Sequence, residues 1–199
     1  MVFIVLRHGQ SVWNRVNKLA GWTDVPLSSQ GKEESFLAAN ILNKYKFNNV
    51  YTSDLIRTIE TCSIIQNVLK QDFIIESSPD LKERDYGVLT GKHRNELINE
   101  FNEEDIKRWR RSYFGRPPGG ENLADVKKRI GYYYDKNIYP LLKNDKNVLL
   151  ISHSNSLRAL FVHLGIKNET TIEEFEIDNC IPINIDIYNN NFYYENNLF

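Results

Sequence analysis

Short apolar runs, many rich in β-branched residues, alternate along this chain with longer stretches whose apolar residues recur at helical spacing, and this alternation limits the fold more than any other feature. Val2-Phe3-Ile4-Val5-Leu6, Asn49-Val50-Tyr51-Thr52, Phe73-Ile74-Ile75-Glu76 and Val148-Leu149-Leu150-Ile151 read as strands. Gly31 to Tyr45 reads as a helix, with Ser28 or Ser29 as N-cap and Phe36, Ala39, Ile41 and Leu42 near helical spacing. Asp54 to Leu69 carries an apolar stripe of Leu55, Ile59, Cys62, Ile65 and Leu69, and Leu123 to Leu142 and Ser156 to Leu164 are helical as well. Residues 93–114 predict one or two helices ending before Pro117-Pro118-Gly119-Gly120. Ile181 to Tyr188 and Phe192 to Glu195 predict a strand pair around Asn189-Asn190-Asn191. Strands alternating with helices imply a mostly parallel sheet covered on both faces. The expected fold class is therefore α/β, a three-layer α/β/α sandwich with a mostly parallel central sheet. The 199 residues, without repeat or linker, are expected to form a single domain over 1–199.

With a formal net charge of −1, the chain has no general attraction for nucleic acid or an anionic membrane. Any anion it takes must be held by a local cluster of Arg, Lys or His. The two cysteines, Cys62 and Cys180, are far apart and show no metal-ligand spacing, so no metal site is expected. Lone thiols suit a reducing cytosol. The apolar start of the chain runs into Arg7-His8 too soon for a signal peptide or a spanning helix, and cytoplasmic localisation is the expectation.

Charged clusters stand just past strand ends. Arg7-His8-Gly9 follows the first strand and His153-Ser154-Asn155-Ser156-Leu157-Arg158 follows the strand at 148–151. Ligands of parallel α/β sheets bind outside the carboxyl ends of strands, so both histidines are expected to open onto one crevice. Arg57 lies early in the helix after the second strand, and Trp109-Arg110-Arg111 adds two more guanidinium groups. Guanidinium forks match phosphate oxygens in geometry and charge. Singly, each of these is an ordinary capped loop residue or solvated side chain; together they describe an anion site.

The order of the motifs is more specific than any one of them. Leu6-Arg7-His8-Gly9-Gln10-Ser11-Val12-Trp13-Asn14 is followed by Gly21-Trp22-Thr23-Asp24 and by Thr52-Ser53-Asp54-Leu55-Ile56-Arg57-Thr58. Then come Leu81-Lys82-Glu83-Arg84-Asp85-Tyr86-Gly87, Trp109-Arg110-Arg111-Ser112 and the His153 segment. From Val2 to about Tyr188 this series resembles the histidine phosphatase superfamily, and within it the 2,3-bisphosphoglycerate-dependent phosphoglycerate mutases. The resemblance implies a phosphoglycerate mutase-like fold and a phosphohistidine enzyme. Its expected activity is interconversion of 3-phosphoglycerate and 2-phosphoglycerate with 2,3-bisphosphoglycerate as primer and no metal. The alternative is a phosphatase of the same superfamily acting on a small phosphoester. The partner implied is a small phosphorylated substrate, with a monomer or small homo-oligomer as the assembly. His8 matches the phosphorylated nucleophile, and Arg7, Arg57 and His153 match the groups that hold the transferring phosphoryl, whose charge a protonated His153 is expected to help stabilise. Glu83 matches the general acid/base. Asn14, Ser11, Tyr86, Arg94, Arg110, Arg111 and Asn155 match substrate-binding positions.

The chain departs from that pattern at Gln10 (commonly Glu), Asp85 (usually His), Arg94 (a Lys) and Ser154 (a Gly). Asp85 is the awkward one for an anion site. The end at Phe199 without the tail of larger mutases implies a more open pocket that favours hydrolysis, and the short step from Pro117-Pro118 to Glu121, without an insertion that makes subunit contacts in larger relatives, points toward a monomer.

Overall fold

The computed structural model describes residues 1–93 and 95–195. Strands β1 (Phe3–Arg7), β2 (Asn49–Thr52), β3 (Ile74–Ser77), β4 (Val148–Ser152), β5 (Ile183–Asp186) and β6 (Asn191–Tyr194) form one sheet ordered β3-β2-β4-β1-β5-β6. The first four strands in that order run parallel; β5 is antiparallel to β1, and β6 to β5. The expected mostly parallel sheet is present, with the C-terminal hairpin as its antiparallel edge.

Along the chain the helices are α1 (Val12–Arg15), α2 (Ser29–Leu42), α3 (Ile56–Leu69), α4 (Glu103–Arg111), α5 (Leu123–Tyr133), α6 (Tyr139–Lys143) and α7 (Ser154–His163). Successive strand residues point to opposite faces, so a strand covered on both faces must be apolar throughout. In β1, Phe3 and Val5 pack with Val126, Ile130, Leu157 and Phe161 of α5 and α7, while Ile4 and Leu6 pack with Ala38, Leu42, Ile65 and Leu69 of α2 and α3. Every residue of β4 is buried in the same way. Three layers result. Strand β3, by contrast, lies at the sheet edge with Ile74, Ile75, Glu76 and Ser77 all exposed, which periodicity alone does not foretell.

The helices depart from expectation in instructive places. Ser28 Oγ does cap α2, accepting from Gly31 N–H at 3.1 Å, but the buried stripe is Gly31, Ser35, Ala38, Ala39 and Leu42, and Phe36 faces outward. Small residues are needed because α2 presses on the loop after β1: a Cβ on Gly9 would stand 2.2 Å from Gly31 O. The segment 123–142 is helical from end to end, as expected, but not α throughout. Pro140 lacks an N–H, and a π turn at Tyr134–Ile138 separates α5 from α6 just before it. Residues 93–114 condense to a 3-10 turn at Leu97–Asn99 and α4, capped by Asn102. Helix α7 begins at Ser154, directly after His153 and earlier than periodicity suggests. Both thiols are free, and burial pushes each up to about 12, so they serve as small apolar side chains.

Candidate active site

The chain passes from β1 to β2 across a gap that β4 later fills, so the carboxyl ends of β1 and β4 are neighbours. Arg7 pairs with Ser152, and His8 N–H extends the ladder by donating to Ser152 O at 3.0 Å. The turn that follows is tied on every side. Cys180 N–H donates to Arg7 O (3.0 Å), Asn179 Nδ2 to His8 O (2.6 Å), and Gly9 N–H to Thr61 Oγ1 of α3 (3.1 Å). His8 Nδ1 lies 2.7 Å from Gly9 O. A carbonyl only accepts, so Nδ1 carries the proton and Nε2, on the other side of the ring, carries the lone pair.

His153 meets the edge of His8, with ring centroids 5.0 Å apart and planes at 65°. Arg57 Nε–H donates to His153 Nδ1 at 3.2 Å, which leaves Nε2–H to donate to Ser53 Oγ at 2.8 Å. Arg57 also donates from Nη1 to Thr23 O (3.0 Å) and from Nη2 to Gly21 O (2.8 Å). One fully buried guanidinium thereby ties α3, the second histidine and the loop 21–23 together. His153 was expected to open onto the crevice as a cation. Instead it is fully buried, both its nitrogens are engaged by protein, and it is neutral, because Arg57 has to donate to it.

The electrostatics agree with those tautomers. Burial, then the charges of Arg57 and Arg7, hold the proton affinity of His8 well below 6.5; burial, Arg57 and His8 do the same to His153. Arg57 is lowered by burial to about 10 and stays charged at neutral pH. An unfolded chain protonates both imidazoles below pH 6.5 while the folded protein does not. Stability is therefore fully present above that pH and falls as pH drops, by about 1.4 kcal/mol per pH unit for each proton withheld. Urea midpoints taken between about pH 8 and about pH 5 check this, and His8→Ala is expected to flatten the slope by about one proton.

Glu83 stands in the loop after the 3-10 turn Pro79–Leu81 and lines one cavity with Arg7 and His8. Its Oε1 accepts from Arg84 N–H at 2.7 Å, and its carbonyl accepts from Trp22 Nε1 at 2.6 Å. Ser152 Oγ donates to Leu81 O and Ser156 Oγ to Lys82 O, fastening this loop to β4 and α7.

These groups surround a cavity of about 160 Å³. Arg7, His8, Asn14, Arg57, Glu83, Tyr86, Arg110 and Asn155, all named from sequence, line it. Asn155 Nδ2 donates to Tyr86 Oη at 2.9 Å, joining the first turn of α7 to the Glu83 loop. Lys18, Gly21, Arg84, Ser154, Arg158 and Glu176 also line it, and sequence assigned none of them a site role. The signal for Arg84 was its place beside Glu83; for Lys18 and Glu176 there was none, since each is an ordinary surface type in a polar stretch. Arg7, Lys18, Arg57, Arg84, Arg110 and Arg158 outweigh Glu83 and Glu176, so the cavity is strongly cationic. Arg84 is almost wholly buried, its guanidinium 4.9 Å from the Tyr86 ring centre, and its Nε has no hydrogen-bond partner. A second cavity, walled by Arg7, Gln10, Asn14, Asn17, Lys18 and Asn179, adjoins the first.

Several expectations come out differently. Ser11 does not line either cavity: it is fully buried and caps α1, its Oγ accepting from Asn14 N–H while Asn14 Oδ1 accepts from Ser11 N–H. Asp85 does not line them either. Its Oδ1 accepts from Gly87 N–H at 2.9 Å, so the carboxylate closes a turn. Gln10 faces the second cavity, with Oε1 accepting from Ser28 Oγ. Ser154 begins α7 without a positive φ, so no glycine is needed there. Arg94 and the side chain of Arg111 lie outside the described residues. Among the described residues no His, Cys, Asp and Glu group is placed to hold a metal, and no helix is long and apolar enough to cross a membrane.

A family profile described as "Histidine phosphatase superfamily (branch 1)" matches residues 3–196. The chain belongs to the histidine phosphatase superfamily. Within that superfamily it is 38% identical to a 2,3-bisphosphoglycerate-dependent phosphoglycerate mutase 2 of Gloeobacter violaceus, over 92% of this chain and 84% of the relative. It is 42% identical to a 2,3-bisphosphoglycerate-dependent phosphoglycerate mutase of Cytophaga hutchinsonii, over 82% of this chain and 76% of the relative. Among solved structures it shares the fold of a mycobacterial glucosyl-3-phosphoglycerate phosphatase complexed with VO3 (TM-score 0.83, 21% identity, 97% of this chain and 96% of that one). A putative α-ribazole-5'-phosphate phosphatase from Escherichia coli has the same histidine phosphatase fold (TM-score 0.78, 22% identity, 98% and 94%).

Proposed function

We propose that this protein interconverts 3-phosphoglycerate and 2-phosphoglycerate through a phosphorylated His8, with 2,3-bisphosphoglycerate as primer. The carrying observation is a neutral imidazole with Nδ1 fixed on Gly9 O, lining one cationic cavity with Glu83. An imidazole already neutral needs no base before it attacks. His8 Nε2 forms a bond to phosphorus as the ester P–O bond breaks, and the departing alkoxide takes the proton of Glu83. In return, a hydroxyl of bound glycerate attacks the same phosphorus, Glu83 takes its proton, and the P–N bond breaks. Charge builds on the phosphoryl oxygens in both directions, and Arg7 and Arg57, held before substrate arrives, offset it where other phosphoryl-transfer enzymes use a metal. His153 acts in the neutral form, anchoring Arg57 and bracing the His8 ring.

The cationic wall fits a ligand with two phosphoryl groups. Arg84, Lys18, Arg110 and Asn14 are the residues to hold the groups that do not react, and the family resemblance assigns Arg94 and Arg111 to the same duty. When bound, the primer supplies the first phosphoryl group to His8. Tyr86 and Asn155, tied to each other, bound the glycerate. The modest size of the cavity favours a small phosphoester. Water in place of the hydroxyl would make the same apparatus a phosphatase.

An assay on 3-phosphoglycerate that scores isomer and free phosphate together tests the proposal. Added 2,3-bisphosphoglycerate is expected to raise isomerisation strongly, and EDTA to leave the rate unchanged. Phosphate release without isomer would make the protein a hydrolase, and neither product would remove the reading.

A further inference from the structure

We infer that Arg129 and Glu121, neither of which lines the cavity, form a unit that positions Glu83 for proton transfer; this rests on the reading of Glu83 above. Arg129 lies on α5 and Glu121 just before its N-cap, Asn122. Arg129 Nε and Nη2 each donate at 2.9 Å to the two carboxylate oxygens of Glu121, a bidentate fork. Its remaining hydrogens go to the main chain of one segment: Nη1 donates to Asp80 O and Lys82 O at 2.8 Å each, and Nη2 to Glu83 O at 2.9 Å. The donor capacity of the guanidinium is thus fully used. Glu121 completes the grip beyond Glu83, where its Oε2 accepts from Asp85 N–H and its own N–H donates to Asp85 O, both at 2.9 Å.

The segment 80–85 is therefore held on both sides of Glu83 by one ion pair. Exposed ion pairs contribute little, but this one is bidentate, with side chains only 16% and 18% exposed. The carboxyl of Glu83 is held by the N–H of its own neighbour Arg84. Its place in the cavity consequently follows the main chain that Arg129 and Glu121 grip. Proton transfer needs hydrogen-bond reach, and a misplacement of about 1 Å can cost about 100-fold.

Leaving-group dependence separates this role from a merely structural one. p-Nitrophenolate departs without a proton, whereas the alkoxide of a phosphoglycerate needs one. Single-turnover phosphorylation of His8 is to be measured with p-nitrophenyl phosphate and with 2,3-bisphosphoglycerate. Arg129→Gln is expected to slow the second by about 30- to 100-fold and the first by less than about 3-fold. Arg129→Lys keeps the charge but loses the fork, and should not restore the rate. Glu121→Gln, which keeps the oxygen acceptor and spares the guanidinium, should show the same pattern more weakly and serves if Arg129→Gln does not fold. Equal slowing of both esters, or none, would overturn the inference. Glu83→Gln is the reference. If it slows both esters alike, the assignment of Glu83 as acid fails and the inference with it. If it discriminates between them while the Arg129 and Glu121 variants do not, the positioning role alone is wrong.

Discussion

His8→Ala is expected to yield a folded protein whose turnover falls by on the order of 10⁵-fold or more, the scale seen when a covalent nucleophile is removed. The loss is large because His8 is the one imidazole among the described residues that line the cavity. The fold should survive because the truncation empties into an existing cavity and leaves the turn anchored by His8 N–H on Ser152 O and by Asn179 on His8 O. The Nδ1 bond to Gly9 O, about 1 kcal/mol, is forfeited together with the edge contact to the His153 ring. Acid-labile phosphate on the wild-type protein and none on the variant, with near-unchanged melting of both, is the result to look for. A variant that unfolds would make His8 structural.

Arg57→Ala should come next in effect. Removing one preorganised charge from a phosphoryl-transfer site raises the barrier by about 3–4 kcal/mol, or roughly 100- to 1,000-fold in kcat. This position has a second consequence. Arg57 is 1% exposed and supplies the donors for Gly21 O, Thr23 O and His153 Nδ1, so its loss also leaves buried acceptors unpaired. Each such group costs about 1–3 kcal/mol, and the melting temperature should fall together with kcat. Arg57→Lys keeps a charge but cannot serve three acceptors in a plane, and recovers little of either. Measuring kcat and melting temperature on both variants checks this. An Arg57→Lys protein of wild-type activity would show that only the charge matters.

Much of the architecture was legible beforehand, for a physical reason. Strands buried on both faces must be apolar throughout, as Phe3–Leu6 and Val148–Ile151 are, and the helices covering them carry stripes that periodicity reveals. Residues directly after those strands had to gather at one end of the sheet, which is why the neighbourhood of His8 and His153 could be named. The failures share a cause as well. Phe36 faces outward because the buried face of α2 is Gly31, Ser35, Ala38, Ala39 and Leu42, and the 123–142 helix takes a π turn just before Pro140, which has no N–H to give. Ser11 had the right place in the motif and a local use, as a cap, that no motif discloses.

By itself, the amino-acid order determined the α/β class, the sequence of elements and which residues would crowd the carboxyl ends of β1 and β4. Only the tertiary structure decided the direction and protonation of each side chain there. His153 is neutral because Arg57, 96 positions away, donates to it and Ser53, 100 positions away, engages its other nitrogen. Asp85 turns from the cavity onto Gly87, and the Glu83 loop is held by Arg129 from a helix more than forty residues on. Burial and hydrogen-bond partners set these outcomes. Both depend on groups brought together by folding, and local sequence carries no record of them.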